Sequence, residues 1–143
     1  IVDSAKAYLS NVGTGTFSFA HAVNGVSYYL QLKHRNSIET WSKTTQTFTG
    51  NSLTYNFTSA NTQAYGNNMK QVDASPVRYA VYNGDVNQDG VVDGSDGALI
   101  DNAAATFLSG YLPTDVNGDN FIDGSDASIA DNNALTFVSI VRP

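Results

Sequence analysis

Asp85-Val86-Asn87-Gln88-Asp89-Gly90-Val91-Val92-Asp93-Gly94-Ser95-Asp96 returns thirty residues later as Asp115-Val116-Asn117-Gly118-Asp119-Asn120-Phe121-Ile122-Asp123-Gly124-Ser125-Asp126. Each copy sets oxygen-bearing side chains at positions one, three, five, nine and twelve of a twelve-residue loop. In the first these are Asp85, Asn87, Asp89, Asp93 and Asp96; in the second, Asp115, Asn117, Asp119, Asp123 and Asp126. A main-chain carbonyl at position seven, from Val91 or Phe121, completes the shell. Carboxylate and amide oxygens in this order suit one large hard cation. The spacing predicts two calcium ions, one in each loop.

Duplication strengthens the reading. Between 85–109 and 115–139, 14 of 25 aligned positions are identical, and every candidate side-chain ligand is among them. The sixth position is Gly90 in one loop and Asn120 in the other, two residues that tolerate a left-handed backbone. The ligand order resembles an EF-hand calcium loop. It departs at the twelfth position, where aspartate replaces the usual glutamate, and no amphipathic helix precedes either loop. Only the segment after each loop reads as a helix. Apolar residues Leu99, Ile100, Ala103, Phe107 and Leu108 in one, and Ile129, Ala130, Leu135, Phe137 and Val138 in the other, are expected as core. Val92 and Ile122 are expected to pair as a short bridge between the loops.

A loop–helix unit ending on aspartate and duplicated across a short linker resembles the dockerin module of bacterial extracellular assemblies. The resemblance covers residues 84–138 and rests on Gly84-Asp85-Val86-Asn87-Gln88-Asp89 and its repeat. It implies a calcium-folded, non-catalytic attachment domain whose partner is cohesin-like or another copy of the chain. Candidate partner residues are Ser95, Asp101 and Asn102, repeated as Ser125, Asp131 and Asn132. The serines match the family pattern. The basic pair that follows them in dockerins is replaced here by Asp-Asn.

Residues 1–83 read as β. Val26, Tyr28, Leu30 and Leu32 alternate with Ser27, Tyr29, Gln31 and Lys33, as a half-buried strand would. Leu53–Phe57 and Val77–Val81 alternate likewise, Phe17 and Phe19 flank Ser18, and Asn24-Gly25 is a turn signal. These strands predict an antiparallel sandwich of the immunoglobulin or prealbumin-like class, resembling the carboxypeptidase-regulatory type. The expected fold is therefore α+β. It comprises a β-sandwich domain over 1–83 and a dockerin-like domain of two EF-hand-type loop–helix repeats over 84–143. That pairing resembles modules on secreted bacterial proteins.

Charge divides the chain at the same place. Residues 85–143 hold ten Asp and one Arg, a net of −9, while residues 1–84 net +3, which together give the whole-chain −6. No basic stripe exists to neutralise phosphates, so nucleic acid is excluded as a partner. No apolar run is long enough for membrane insertion. Two histidines, one glutamate and no cysteine leave little catalytic chemistry. A zinc centre lacks ligands, and carboxylate pairs for glycoside hydrolysis occur only among the proposed calcium ligands. The cluster His34–Trp41 reads as a strand-end turn around a packed tryptophan. The expectation is a non-enzyme, secreted or held at a bacterial cell surface, where millimolar calcium fills weak loops. It would act in attachment, or alternatively as a self-associating subunit of a surface layer or filament. A third reading is a carbohydrate-binding module using outward-facing Tyr29 and Tyr82.

Overall fold

The computed structural model describes all 143 residues. It contains six short strands, β1 (Ser27–Tyr28), β2 (Gln31–Leu32), β3 (Thr40–Trp41), β4 (Gln46–Thr47), β5 (Lys70–Ala74) and β6 (Val77–Ala80). Two helices follow, α1 (Gly94–Ala105) and α2 (Gly124–Ala134). The strands form three separate two-stranded antiparallel ladders, β1–β4, β2–β3 and β5–β6. There is no sandwich, only three two-stranded ladders and two helices, so the expected sandwich followed by two EF-hand-type repeats is overturned.

The physical reasons lie in the strands themselves. The alternating run 26–33 breaks between Tyr28 and Gln31, and its halves pair with different partners, Ser27 with Thr47 and Gln31 with Trp41. Leu53–Phe57 and Phe17–Phe19 form no strand. Ladders of two strands have no inner face to bury. Over residues 1–83 the buried apolar side chains are only Ile38, Ala64 and Met69, too few to hold two sheets together.

The chain divides into two compact units, one of Ile1–Tyr28 and Thr45–Tyr55, the other of Tyr29–Thr44 and Asn56–Pro143. In the first, the Asn24-Gly25 signal does make a turn, closed by Val26 N–H donating to the Val23 carbonyl at 3.3 Å. Phe48 meets Phe19 and Tyr28 edge-on, with centroids 6.2 and 6.3 Å away. No side chain of this unit is fully buried.

The second unit owns the core: Ile38, Val86, Val92, Ile100, Ala103, Val116, Ile122, Ala130 and Val138, with Tyr82, Leu112 and Ile140 packed against it. Asn83-Gly84, where composition changes, lies inside this unit. Gly84 has φ +110°, and a Cβ there would stand 3.0 Å from Val92 Cγ1 and 3.1 Å from Ala130 Cα. The close approach of backbone to helix requires glycine.

Each helix begins where its acidic loop ends. Asp93 caps α1 and Asp123 caps α2, and Asp96 and Asp126 reach back from the third helical position to close capping boxes. The buried face runs through Asp96, Ile100 and Ala103 in α1 and through Asp126, Ala130 and Asn133 in α2, the i, i+4, i+7 stripe of a packed helix. Both helices end in the same Schellman-type closure. Leu108 N–H donates to Ala103 O and Phe107 N–H to Ala104 O; Val138 and Phe137 repeat this on Asn133 and Ala134.

Two expectations about this half are corrected. The loops do not bridge through Val92 and Ile122. Val91 instead pairs with Ser139, which follows α2, and Phe121 with Ser109, which follows α1. Each loop is thus stitched to the segment leaving the other repeat's helix. Secondly, Phe107 and Phe137 are not core but 90% and 87% exposed, and Leu99, Leu108 and Leu135 are exposed as well. The Schellman turn swings each phenylalanine outward; the next residue returns to the core in the second repeat, as Val138, whereas Leu108 in the first stays 46% exposed.

Candidate functional site

The two acidic loops share one internal geometry. At position twelve, Asp96 and Asp126 are wholly buried. Asp96 Oδ1 accepts the N–H groups of Val86 (2.9 Å) and Asn87 (3.2 Å), and Oδ2 accepts that of Asp93 (3.0 Å). Asp126 does the same for Val116, Asn117 and Asp123 at 2.7, 3.0 and 3.0 Å. These carboxylates tie the start, middle and end of each loop together. The sixth positions have positive φ, +95° at Gly90 and +70° at Asn120, and so do the fourth, Gln88 and Gly118. The chain reverses at both points, which curls each loop back on itself.

At position three, Asn87 donates through Nδ2 to Asp89 Oδ2 (2.8 Å) and Ser95 Oγ (3.0 Å), while its Oδ1 accepts the Asp89 N–H. Asn117 repeats this with Asp119 and Ser125. Asp89 Oδ1 takes the Val91 N–H, and Asp119 Oδ1 that of Phe121. Asp93 and Asp123 are exposed; the hydroxyl and then the N–H of Ser95 and Ser125 hold each carboxyl below the usual carboxylate range. N–H and O–H donors therefore partner most loop oxygens, and no three carboxylate or imidazole groups converge into a ready-made metal cluster.

Position one separates the loops. Asp115 is fully buried; its Oδ1 accepts the Gly118 N–H (2.8 Å) and its Oδ2 lies 3.5 Å from Arg35 Nη2. Asp85 is only 2% exposed, yet its Oδ1 has no hydrogen-bond partner. Burial, then the neighbouring charges of Asp96 and Asp89, push its carboxyl above the ordinary value, against a smaller pull downward from the main-chain N–H groups of Gly90 and Gln88. It opens on a recess of about 40 Å³ lined also by Gln88, Asp89, Glu39, Lys33 and Arg142, room for a cation with accompanying water. The two basic residues there are drawn to Glu39, whose carboxylate accepts from Arg142 Nε (3.0 Å) and lies 4.0 Å from Lys33 Nζ.

The segment 34–42 contributes far more than a strand-end turn. Asn36, Ser37, Ile38, Glu39, Thr40 and Ser42 are all buried. Asn36 Nδ2 donates to the Asp115 carbonyl at 2.8 Å, while Arg35 donates through Nη2 to the same carbonyl (2.9 Å) and through Nε to Leu112 O (2.8 Å). The Arg35 guanidinium lies 3.7 Å over the Tyr111 ring. On the other side, Gln88 Nε2 donates to Ser37 O (3.2 Å) and Asp85 O (2.7 Å). One strap of chain thus fixes the first residue of both loops. Its spacing carries no motif; the only sequence signal was an unusual density of polar and aromatic residues. His34 and Glu39 are engaged inside it, His34 with Asn36 and Arg35, Glu39 with Trp41 Nε1 at 2.7 Å.

The six candidate partner residues are all exposed. Ser95 and Ser125 are occupied in the loops through Asp93 and Asp123. Asp101 and Asn102 lie on α1, and Asp131 and Asn132 on α2. Tyr82, expected to face outward, packs against the core instead, and Tyr29 meets Tyr65 edge-on at 6.3 Å. No helix is long and apolar enough to cross a membrane. Compared with protein-family models, curated proteins and solved structures, the chain matches none.

Proposed function

We propose that the two acidic loops bind calcium and that the chain acts as a non-catalytic, calcium-dependent attachment module outside the cell. The observation that carries this is Asp85 Oδ1, a buried carboxylate oxygen with no donor, facing a small recess and two further carboxylates. A buried charge of this kind is costly unless a counter-charge meets it. The donor set around it is all hard oxygen, which favours calcium over softer-ligand metals. Asp89 and Asp93 are exposed, and an ion in the loop would take their oxygens in exchange for the N–H and O–H groups they now accept. A half-turn of the Asn87 amide exchanges its NH₂ for an oxygen. Asp96 remains as the fixed wall.

Attachment rather than chemistry is supported by the repeat's dockerin resemblance and by the paired exposed phenylalanines. Phe107 and Phe137 have φ of +54° and +56°, a strained conformation for a bulky residue, and neither gains burial from it. Aromatic side chains held outward in this way suit a protein partner.

Calorimetric titration of the chain with calcium tests the reading. Two ions per chain are expected, with magnesium competing poorly because it demands a tighter octahedron. No binding at millimolar calcium sinks it. Size-exclusion of the chain with calcium and with chelator then separates a foreign partner, where the chain stays monomeric, from self-assembly.

A further inference from the structure

The two loops are close copies in sequence, yet the chain surrounds their first residues differently. Arg35, with a side chain only 16% exposed, places its guanidinium 3.5 Å from Asp115 Oδ2. The other oxygen of Asp115 is taken by the Gly118 N–H. At the first loop the corresponding anchor is Gln88. It holds the Asp85 carbonyl at 2.7 Å, as Arg35 holds the Asp115 carbonyl at 2.9 Å, but it brings no charge. The nearby cations Lys33 and Arg142 are turned to Glu39. Loop one therefore keeps a buried carboxylate with no cation paired to it, while loop two has an internal positive charge against the matching group.

We infer that the loops are unequal cation sites, with loop one filling first and Arg35 the residue that weakens loop two. The inference rests on the calcium reading and goes beyond it in ranking the sites and naming what ranks them. A calcium ion entering loop two must displace the guanidinium from Asp115 or bind against its repulsion. At loop one the cations lining the recess, Lys33 and Arg142, pair with Glu39 and not with Asp85. Arg35 is not free to leave, because Leu112 O, Asp115 O and the Tyr111 ring hold it from three sides. A fixed positive charge a few ångströms from the first ligand is expected to separate the two affinities by about tenfold or more.

The test follows each loop through its own glycines in the full chain. Amide resonances of Gly90 and Gly94 report loop one, and those of Gly118 and Gly124 report loop two, during titration with calcium. Loop-one signals should complete their shift at lower calcium than loop-two signals. Arg35→Gln keeps a donor for the carbonyls without the charge, and should bring the two curves to within about threefold by strengthening loop two alone. Arg35→Lys, which keeps the charge, should preserve the separation. Coincident curves in the parent chain, or a folded Arg35→Gln variant whose loop two weakens, would overturn the ranking while leaving calcium binding intact. No shift in either loop at millimolar calcium would overturn the calcium reading and the ranking with it.

Discussion

Asp96 accepts the main-chain N–H of Val86 at 2.9 Å, drawing the second residue of the loop onto the twelfth. With Asn87 and Asp93 it collects three N–H donors in a wholly buried position. The residue read from sequence as a terminal ligand is thus also what shapes the loop. Asp96→Ala leaves those donors without acceptors and is expected to cost about 2–4 kcal/mol in chelator, where no ion contributes. Urea unfolding of Asp96→Ala beside Asp93→Ala checks it, since Asp93 is exposed and serves as a cap. Equal losses would show that Asp96 does not organise the loop.

Phe107 and Phe137 occupy the position where a helix usually ends on glycine. Both stand at positive φ with side chains in solvent. Phe107→Gly and Phe137→Gly should therefore raise stability, by about 0.5–1 kcal/mol each, because strain is removed and almost no buried area is lost. Thermal unfolding measures this directly. If these phenylalanines anchor a partner, the same variants should bind it more weakly, a gain in stability set against a loss in function. Variants that melt earlier would place the rings in a contact that their exposure denies.

What the sequence made legible was local. Gly90 and Asn120 marked left-handed turns by residue type, and of the apolar residues read as core in the two helical segments Ile100, Ala103, Ala130 and Val138 are buried while Leu99, Leu108 and Leu135 are exposed. Gln88 shares the positive φ of Gly118, but a glutamine gives no such sign; its conformation follows from the grip of its amide on Ser37 O and Asp85 O. The strap 34–42 was misread because its partners lie about eighty positions away, as with Arg35 and Asp115. No periodicity encodes a pairing of that range. The sandwich failed for a related reason: alternation at 26–33 described two-residue pieces, and alternation alone does not say whether a second sheet exists to cover them. Phe107 and Phe137 continued the helical stripe in sequence, yet each falls one residue past the cap, where the backbone reverses.

Acid should act on Glu39 before it unmakes the helices. Its carboxylate is 7% exposed. Burial raises its pKa, but hydrogen bonds from Arg142 and Trp41, with the charges of Arg142 and Lys33, outweigh this and leave it below the ordinary 4.5. A depressed carboxylate contributes stability that is present above its unfolded pKa and lost as pH falls through the folded one. Arg142 and Lys33 are more than half exposed, at 63% and 52%, so solvent screens both pairs. The contribution is expected to be about 1 kcal/mol. Denaturation of the parent and Glu39→Gln should show the parent more stable at neutral pH, with the difference closing below about pH 4.5. A difference that stays constant down to pH 3 would mean the charge on Glu39 contributes nothing.

Asp85 should behave in the opposite sense, and its replacement tests site and stability at once. In the absence of calcium its buried carboxylate faces Asp96 and Asp89 with one oxygen unpartnered. Burial first, and then those two charges, raise its pKa, so its ionised form opposes folding at neutral pH and the penalty eases on acidification. Asp85→Asn removes the charge at nearly constant volume and gives the neighbouring carboxylates an N–H donor. In chelator the variant should unfold later than the parent, by about 1 kcal/mol. In saturating calcium the order should invert, because each occupied site adds about 2.7 kcal/mol at a hundredfold excess over Kd and the variant has given up the first. Scanning calorimetry of both proteins, with chelator and with millimolar calcium, reads the crossing. A variant less stable than the parent in both media would show that the carboxylate has a partner in the folded chain. A variant stabilised equally by calcium would remove Asp85 from the ligand set.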